Sequence, residues 1–188
     1  VYLFNRGTRD QWRKTNGGSV PGTAGGQYTA VPVELAGQAT LPDRILSMHS
    51  FMVNAASDGT QITLKYDQLV KNVADAANTQ PAWRSADNNG KRQLPYIVLD
   101  VIGEGSADRV WLFEESSTTR GYDNGWDGHK MMEGDLIQVY ATDADQNKYQ
   151  VTTVPQLDNI TLGIAARENE SYTISVSTAA DVENRRLY

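Results

Sequence analysis

Residues 94–116 read LPYIVLDVIGEGSADRVWLFEES, and the fold turns on how this stretch is parsed. Two apolar runs, at about 95–102 and 109–115, flank the glycine-rich turn GEGSAD. Short β-branched and aromatic runs on either side of such a turn predict a β-hairpin. Trp111 lies inside the second run and is assigned to the core.

The same rhythm continues downstream. The segments LIQVYAT, KYQVTTV, ITLGIAA and SYTISVS are separated by the short polar turns DADQN, PQLDN and RENE. In the last of them Tyr172, Ile174 and Val176 alternate with Thr173, Ser175 and Ser177, the period of two that puts successive side chains on opposite faces of a strand. Upstream, YTAVPVEL (28–35) is rich in strand formers, with Pro32 suiting an edge or a bulge. ILSMHSFMVNA (45–55) reads as a further strand. Beyond the Asp58-Gly59 turn, Ile62, Leu64 and Tyr66 share one face of another.

Only QLVKNVADAAN (68–78) has helical spacing, with Asp67 placed to cap it. Two polar, loop-like segments, 6–27 and 78–93, interrupt the pattern. The sequence therefore predicts an all-β fold: an antiparallel β-sandwich, jelly-roll-like, of about nine or ten strands with at most one short helix. We expect one domain over 1–188, a fragment of a longer secreted protein, since Val1 opens directly into a strand and RRLY ends on a new apolar segment.

Composition narrows the function. The 188 residues carry a net charge of −6, with no block of like charge, which disfavours nucleic acid and anionic membranes as partners. There is no cysteine, which removes thiol catalysis, zinc ribbons and disulfides. No apolar run approaches the roughly 20 residues of a membrane helix, so no membrane insertion is expected.

Catalytic signals are sparse. No nucleophile elbow occurs, and two histidines cannot make a three-histidine metal centre. His49 reads as a satisfied structural histidine and His129 as solvent-facing. Glu114 and Glu115 are neighbours on a strand and so point to opposite faces, while Asp143 and Asp145 flank a hairpin tip. No catalytic residue is assigned, and the chain is read as not an enzyme.

The stretch TTRGYDNGWDGHKMMEGD (118–135) is the one candidate ion or ligand loop. Asp123 and Asp127 amid glycines have the oxygen chemistry calcium prefers, although the order departs from an EF-hand and no Glu stands at the twelfth position. The other reading is that these carboxylates cap turns by accepting backbone N–H bonds, with no cofactor. Tyr122 and Trp126 are placed to pack inward as anchors. Sugar-binding sandwiches present aromatic faces beside amides and acids. Trp12, Trp83 and Trp126 all occur in loop-like contexts, and Trp83 and Trp126 are the ligand-binding candidates.

Four blocks carry a resemblance. They are ILSMHSFMV at Ile45–Val53, the stretch 113–130 with its GYDNGWDGHK, residues 139–155, and residues 162–174. Together they resemble a module of Bacteroidetes secreted and surface proteins that usually lies near the C-terminus, ahead of a type IX sorting domain. The resemblance spans about 45–177. His49-Ser50 departs from the Gln-Gly of that pattern, and Trp126 stands where tyrosine is common.

The resemblance implies a β-sandwich, export, and an extracellular or cell-surface location. It implies no reaction. The expected role is non-catalytic adhesion or structural presentation. The expected partners are neighbouring domains of the same polypeptide and a glycan or host glycoprotein. The alternative is an accessory domain of a secreted hydrolase whose catalytic domain lies elsewhere.

Overall fold

The hairpin read from 94–116 is the centre of the molecule. Strands β4 (Tyr96–Ile102) and β5 (Ala107–Glu114) pair antiparallel from Tyr96 opposite Phe113 to Ile102 opposite Ala107. Their turn is closed by the Gly103 N–H donating to the Ser106 carbonyl at 2.9 Å. This is a computed structural model, and it describes residues 1–6, 25–45, 49–55, 57–63, 65, 92–103, 105–132, 136–166 and 171–179. The described residues form ten strands in two sheets, with no helix among them.

The near-continuous apolar runs of β4 and β5 have a simple cause: both faces of the hairpin are covered. On one face Ile97, Leu99, Val101, Val110 and Leu112 pack against Ile137, Val139 and Tyr149, with Leu162 and Ile164 closing the rim. Those partners belong to or adjoin β7 (Gln138–Thr142), β8 (Lys148–Val154) and β9 (Thr161–Ala165). On the other face Val98, Trp111 and Phe113 pack against Tyr2, Ala30 and Leu35. Tyr2 and Ala30 lie on β1 (Tyr2–Phe4) and β2 (Tyr28–Ala30), which with β3 (Phe51–Met52) make the three-stranded sheet β2-β1-β3. Trp111 is fully buried as expected, and its indole N–H donates to the Thr40 hydroxyl at 2.8 Å.

The larger sheet departs from the expected antiparallel pattern at one joint. β5 and β8 run parallel, from Trp111 opposite Val151 to Glu114 opposite Val154. Parallel neighbours need a long crossover, and the chain supplies one between Glu114 and Lys148 that includes the acidic loop.

The registers also fix the edges of β8. Tyr149 faces His129 of β6 (Gly128–His129) and Ala141 of β7, while Val151 faces Gly128 of β6 and Trp111 of β5. A strand has two edges, so β6 occupies one, and β7 and β5 follow each other along the other. β8 thus passes from one layer of the sandwich to the other, as corner strands do.

Several predicted strands are shorter than their sequence signals. The strand expected over 28–35 ends at Ala30, because Pro32 starts a turn in which the Leu35 N–H bonds the Pro32 carbonyl at 3.2 Å. In 45–55 the described strand is Phe51–Met52 alone. Gln61–Thr63 is not a strand, and Ile62 is exposed, not half-buried, because none of the described strands covers it. The predicted helix 68–78, Leu64, Tyr66 and most of the loops 6–27 and 78–93 lie outside the described residues.

Candidate functional site

The acidic stretch leaves the end of β5 and returns as β6. Its carboxylates accept hydrogen bonds from the chain itself. Asp123 Oδ2 accepts the Thr119 N–H at 2.6 Å and its hydroxyl at 3.0 Å. Asp127 Oδ2 accepts the Asp123 N–H at 2.6 Å, and its Oδ1 accepts the Thr153 N–H of β8 at 2.8 Å. The Asp123 carbonyl in turn receives the N–H groups of Trp126 and Asp127, both at 3.0 Å. The loop is therefore a nest of side-chain caps bolted to β8.

Two glycines make that geometry possible. Gly125 has φ +90°, a left-handed conformation that most residues adopt only at a cost. At Gly128 a Cβ would lie 2.6 Å from the Cβ of Ala30, so only glycine lets β6 pass this close to β2.

Burial shapes the electrostatics. Asp127 is 5% exposed, and loss of water pushes its carboxyl up to about 6, against the pull of the backbone donors. Each of its oxygens accepts a backbone N–H of the fold. Among the described residues no group of three or more His, Asp and Glu side chains could hold a metal.

The loop's aromatic residues go to separate places. Trp126 is half-buried and packs on the core beneath β1 and β2. Tyr122 remains 42% exposed and stacks on His129, with ring centres 4.7 Å apart. His129 in turn stacks on Tyr149 at 5.0 Å. His129 is thus held between two tyrosines and does not simply face solvent, because β6 sits beside Tyr149 on β8. Trp83 and Trp12 lie outside the described residues. His49 also departs from expectation: its Nε2 is buried with no hydrogen-bond partner among the described residues, and burial, aided by the nearby Arg6, lowers its pKa.

The sequence reading missed the ions that lock this corner. Lys130, the residue after β6, reaches into the interior, and its Nζ lies 2.6 Å from Asp108 Oδ2 and 2.7 Å from Oδ1. Asp108 Oδ2 also accepts the Val139 N–H at 2.8 Å, so one carboxylate joins β5, β7 and the end of the loop. Both side chains are almost wholly buried, and burial raises Asp108 against the pull of the ammonium. On the opposite face Arg109 makes a two-pronged bond to Asp100 at 2.7 and 2.8 Å. The available clue was a pair of consecutive charges, Asp108-Arg109, inside a strand-forming stretch.

Beside the loop, the β7–β8 turn and the segment before β9 enclose a cleft of about 350 Å³. Tyr149 and Val154 form its floor, and Arg120 from the loop stands at its mouth, ion-paired to Asp158 and donating to its carbonyl at 2.9 Å. Asp143 on the wall accepts the Asn147 N–H at 2.9 Å, the Asn147 side-chain amide at 2.8 Å and the Tyr149 hydroxyl at 2.8 Å. The other paired acids considered from sequence are likewise engaged. Glu114 Oε2 accepts the Leu157 N–H at 2.9 Å, and Glu115 Oε1 accepts the Ser117 N–H at 3.3 Å.

Fold and site together describe a β-sandwich module whose described acids mostly fasten turns and strands. The chain is 49% identical over 179 residues to the minor fimbrium subunit Mfa5 of Porphyromonas gingivalis (strain ATCC 33277), a similarity covering 93% of this chain. It spans 14% of the length of that relative. No protein-family model and no solved structure matches the chain. Fimbria are surface appendages, so the similarity puts this module at the extracellular cell surface, in keeping with the Bacteroidetes surface-protein resemblance. No helix among the described residues is long and apolar enough to cross a membrane.

Proposed function

We propose that this chain is a non-catalytic module of a larger fimbria-associated surface protein, serving adhesion and structural presentation. Its partners in this reading are neighbouring parts of the same polypeptide and other fimbrial components, and the 188 residues act as one unit. Export ahead of a type IX sorting domain, and a glycan or host glycoprotein as the bound ligand, belong to the same reading. The observation that carries it is the similarity to a fimbrium subunit across nearly the whole chain. The site geometry supports it, because three of the four paired acids, Glu114, Glu115 and Asp143, hold backbone or side-chain donors of the fold.

Shear fractionation of cells producing the parent protein tests the proposal. The protein should be labelled on intact cells and co-sediment with sheared appendages. Recovery only as a freely soluble protein that turns over a glycoside or peptide would replace this reading with the accessory-hydrolase one.

A further inference from the structure

The cleft beside the acidic loop has an unusual division of labour. Its charged groups are already satisfied: Arg120 is held by Asp158, and Asp143 by Asn147 and Tyr149. Its neutral groups are not. Among the described residues, the side chains of Thr142, Gln146, Asn159 and Thr161, all lining the cleft, make no hydrogen bond. Gln146 and Asn159 are held in left-handed conformations, at φ 64° and 49°, and they are two of the three such non-glycine residues described. Residues forced into this region cost of order 1 kcal/mol or more, and such strain gathers at ligand sites.

We propose that this cleft binds a neutral sugar unit of a glycan. The argument is one of matching chemistry. Two carboxamides and two hydroxyls offer both donors and acceptors without net charge, which suits a ring of hydroxyls and suits neither a phosphate nor a metal ion. Tyr149 and Val154 also line the cleft but are 2% and 5% exposed, so recognition falls to the polar side chains. A volume of about 350 Å³ lies at the small end for ligand sites, appropriate to one or two sugar rings rather than a long chain. A bound peptide strand would pair with the edge of β9 that no described strand covers and would leave the side chains of Gln146 and Asn159 unused, so peptide binding is an outcome that the test separates. The assignment rests on the adhesion reading above and names its ligand class and place.

The test is saturation-transfer NMR of the 188-residue chain with methyl glycosides of the neutral hexoses and N-acetylhexosamines, and with lactose and cellobiose. At least one of these should bind. Gln146→Gly and Asn159→Gly should each weaken it tenfold or more while leaving the melting temperature unchanged or higher, since glycine relieves the left-handed backbone. Thr161→Tyr, which fills the cleft from an exposed position, should abolish it.

Absence of transfer to every saccharide overturns the assignment. So does binding that survives these variants but is lost in Trp126→Ala, or a peptide that occupies the cleft in their place. Shear fractionation reports separately on the surface reading. A silent panel with appendage-associated protein therefore removes the cleft assignment alone.

Discussion

Asp127 gives the sharpest test of the electrostatics. Its carboxyl is raised from an ordinary 3.8 to about 6 by burial. Because the folded value exceeds the unfolded one, the folded state binds this proton more tightly. Stability from this group is full below about pH 4, falls as pH rises toward 6, and is flat beyond. A shift of about two units corresponds to roughly 3 kcal/mol between these limits.

Asp127→Asn removes the titration but keeps the shape. It also turns one oxygen into an NH₂ opposite a backbone N–H, of Asp123 or Thr153, at a cost of about 1–3 kcal/mol. At pH 4 the variant should therefore be less stable than wild type by that cost. At pH 7 the ionic penalty of wild type offsets it, and the two should come within about 1–2 kcal/mol of each other. The assay is urea unfolding followed by tryptophan fluorescence at pH 4, 5, 6 and 7 for both proteins. Parallel profiles, or a wild type that gains on the variant as pH rises, would refute the buried-carboxylate argument.

Three further outcomes are expected. Gly128→Ala should cost about 1–3 kcal/mol by overpacking against Ala30, and adding Ala30→Gly should recover most of it; an unchanged melt for the single variant contradicts the close approach. Lys130→Met should cost about 3–5 kcal/mol by stranding a buried carboxylate, whereas Asp108→Leu combined with Lys130→Met should be far milder; equal losses would mean that the ion pair is not the cause. The melting temperature should not respond to calcium or to a chelator, since Asp123 Oδ2 and both Asp127 oxygens accept donors of the fold and no group of three or more His, Asp and Glu among the described residues could hold a metal; a calcium-induced rise abolished by Asp127→Ala would favour the ion-loop reading instead.

The parts of the fold legible in sequence were those with local causes. The β4–β5 hairpin announced itself through two apolar runs and a glycine-rich turn, and Trp111 through its place within one of them. The capping role of the loop acids could be weighed from residue type alone. Thr153, which completes the cap, could not be named, because it lies 26 positions away. The parallel β5–β8 joint was hidden for the same reason, as were the tyrosine stack around His129 and the cleft walls. Ile62 shows the converse error. Alternation is necessary for a half-buried strand but does not supply the neighbouring strand that buries it.

The passage of β8 between layers has a consequence for how the molecule is made. Three strands, β5, β6 and β7, pair with this one segment, so it acts as a keystone. Until the ribosome has delivered Val154, the hairpin beneath it has a bare flank and no means of closing. Trp111 meets Val151 across 40 positions of sequence, so this pairing pays a large loop-closure cost and should be among the late events of folding.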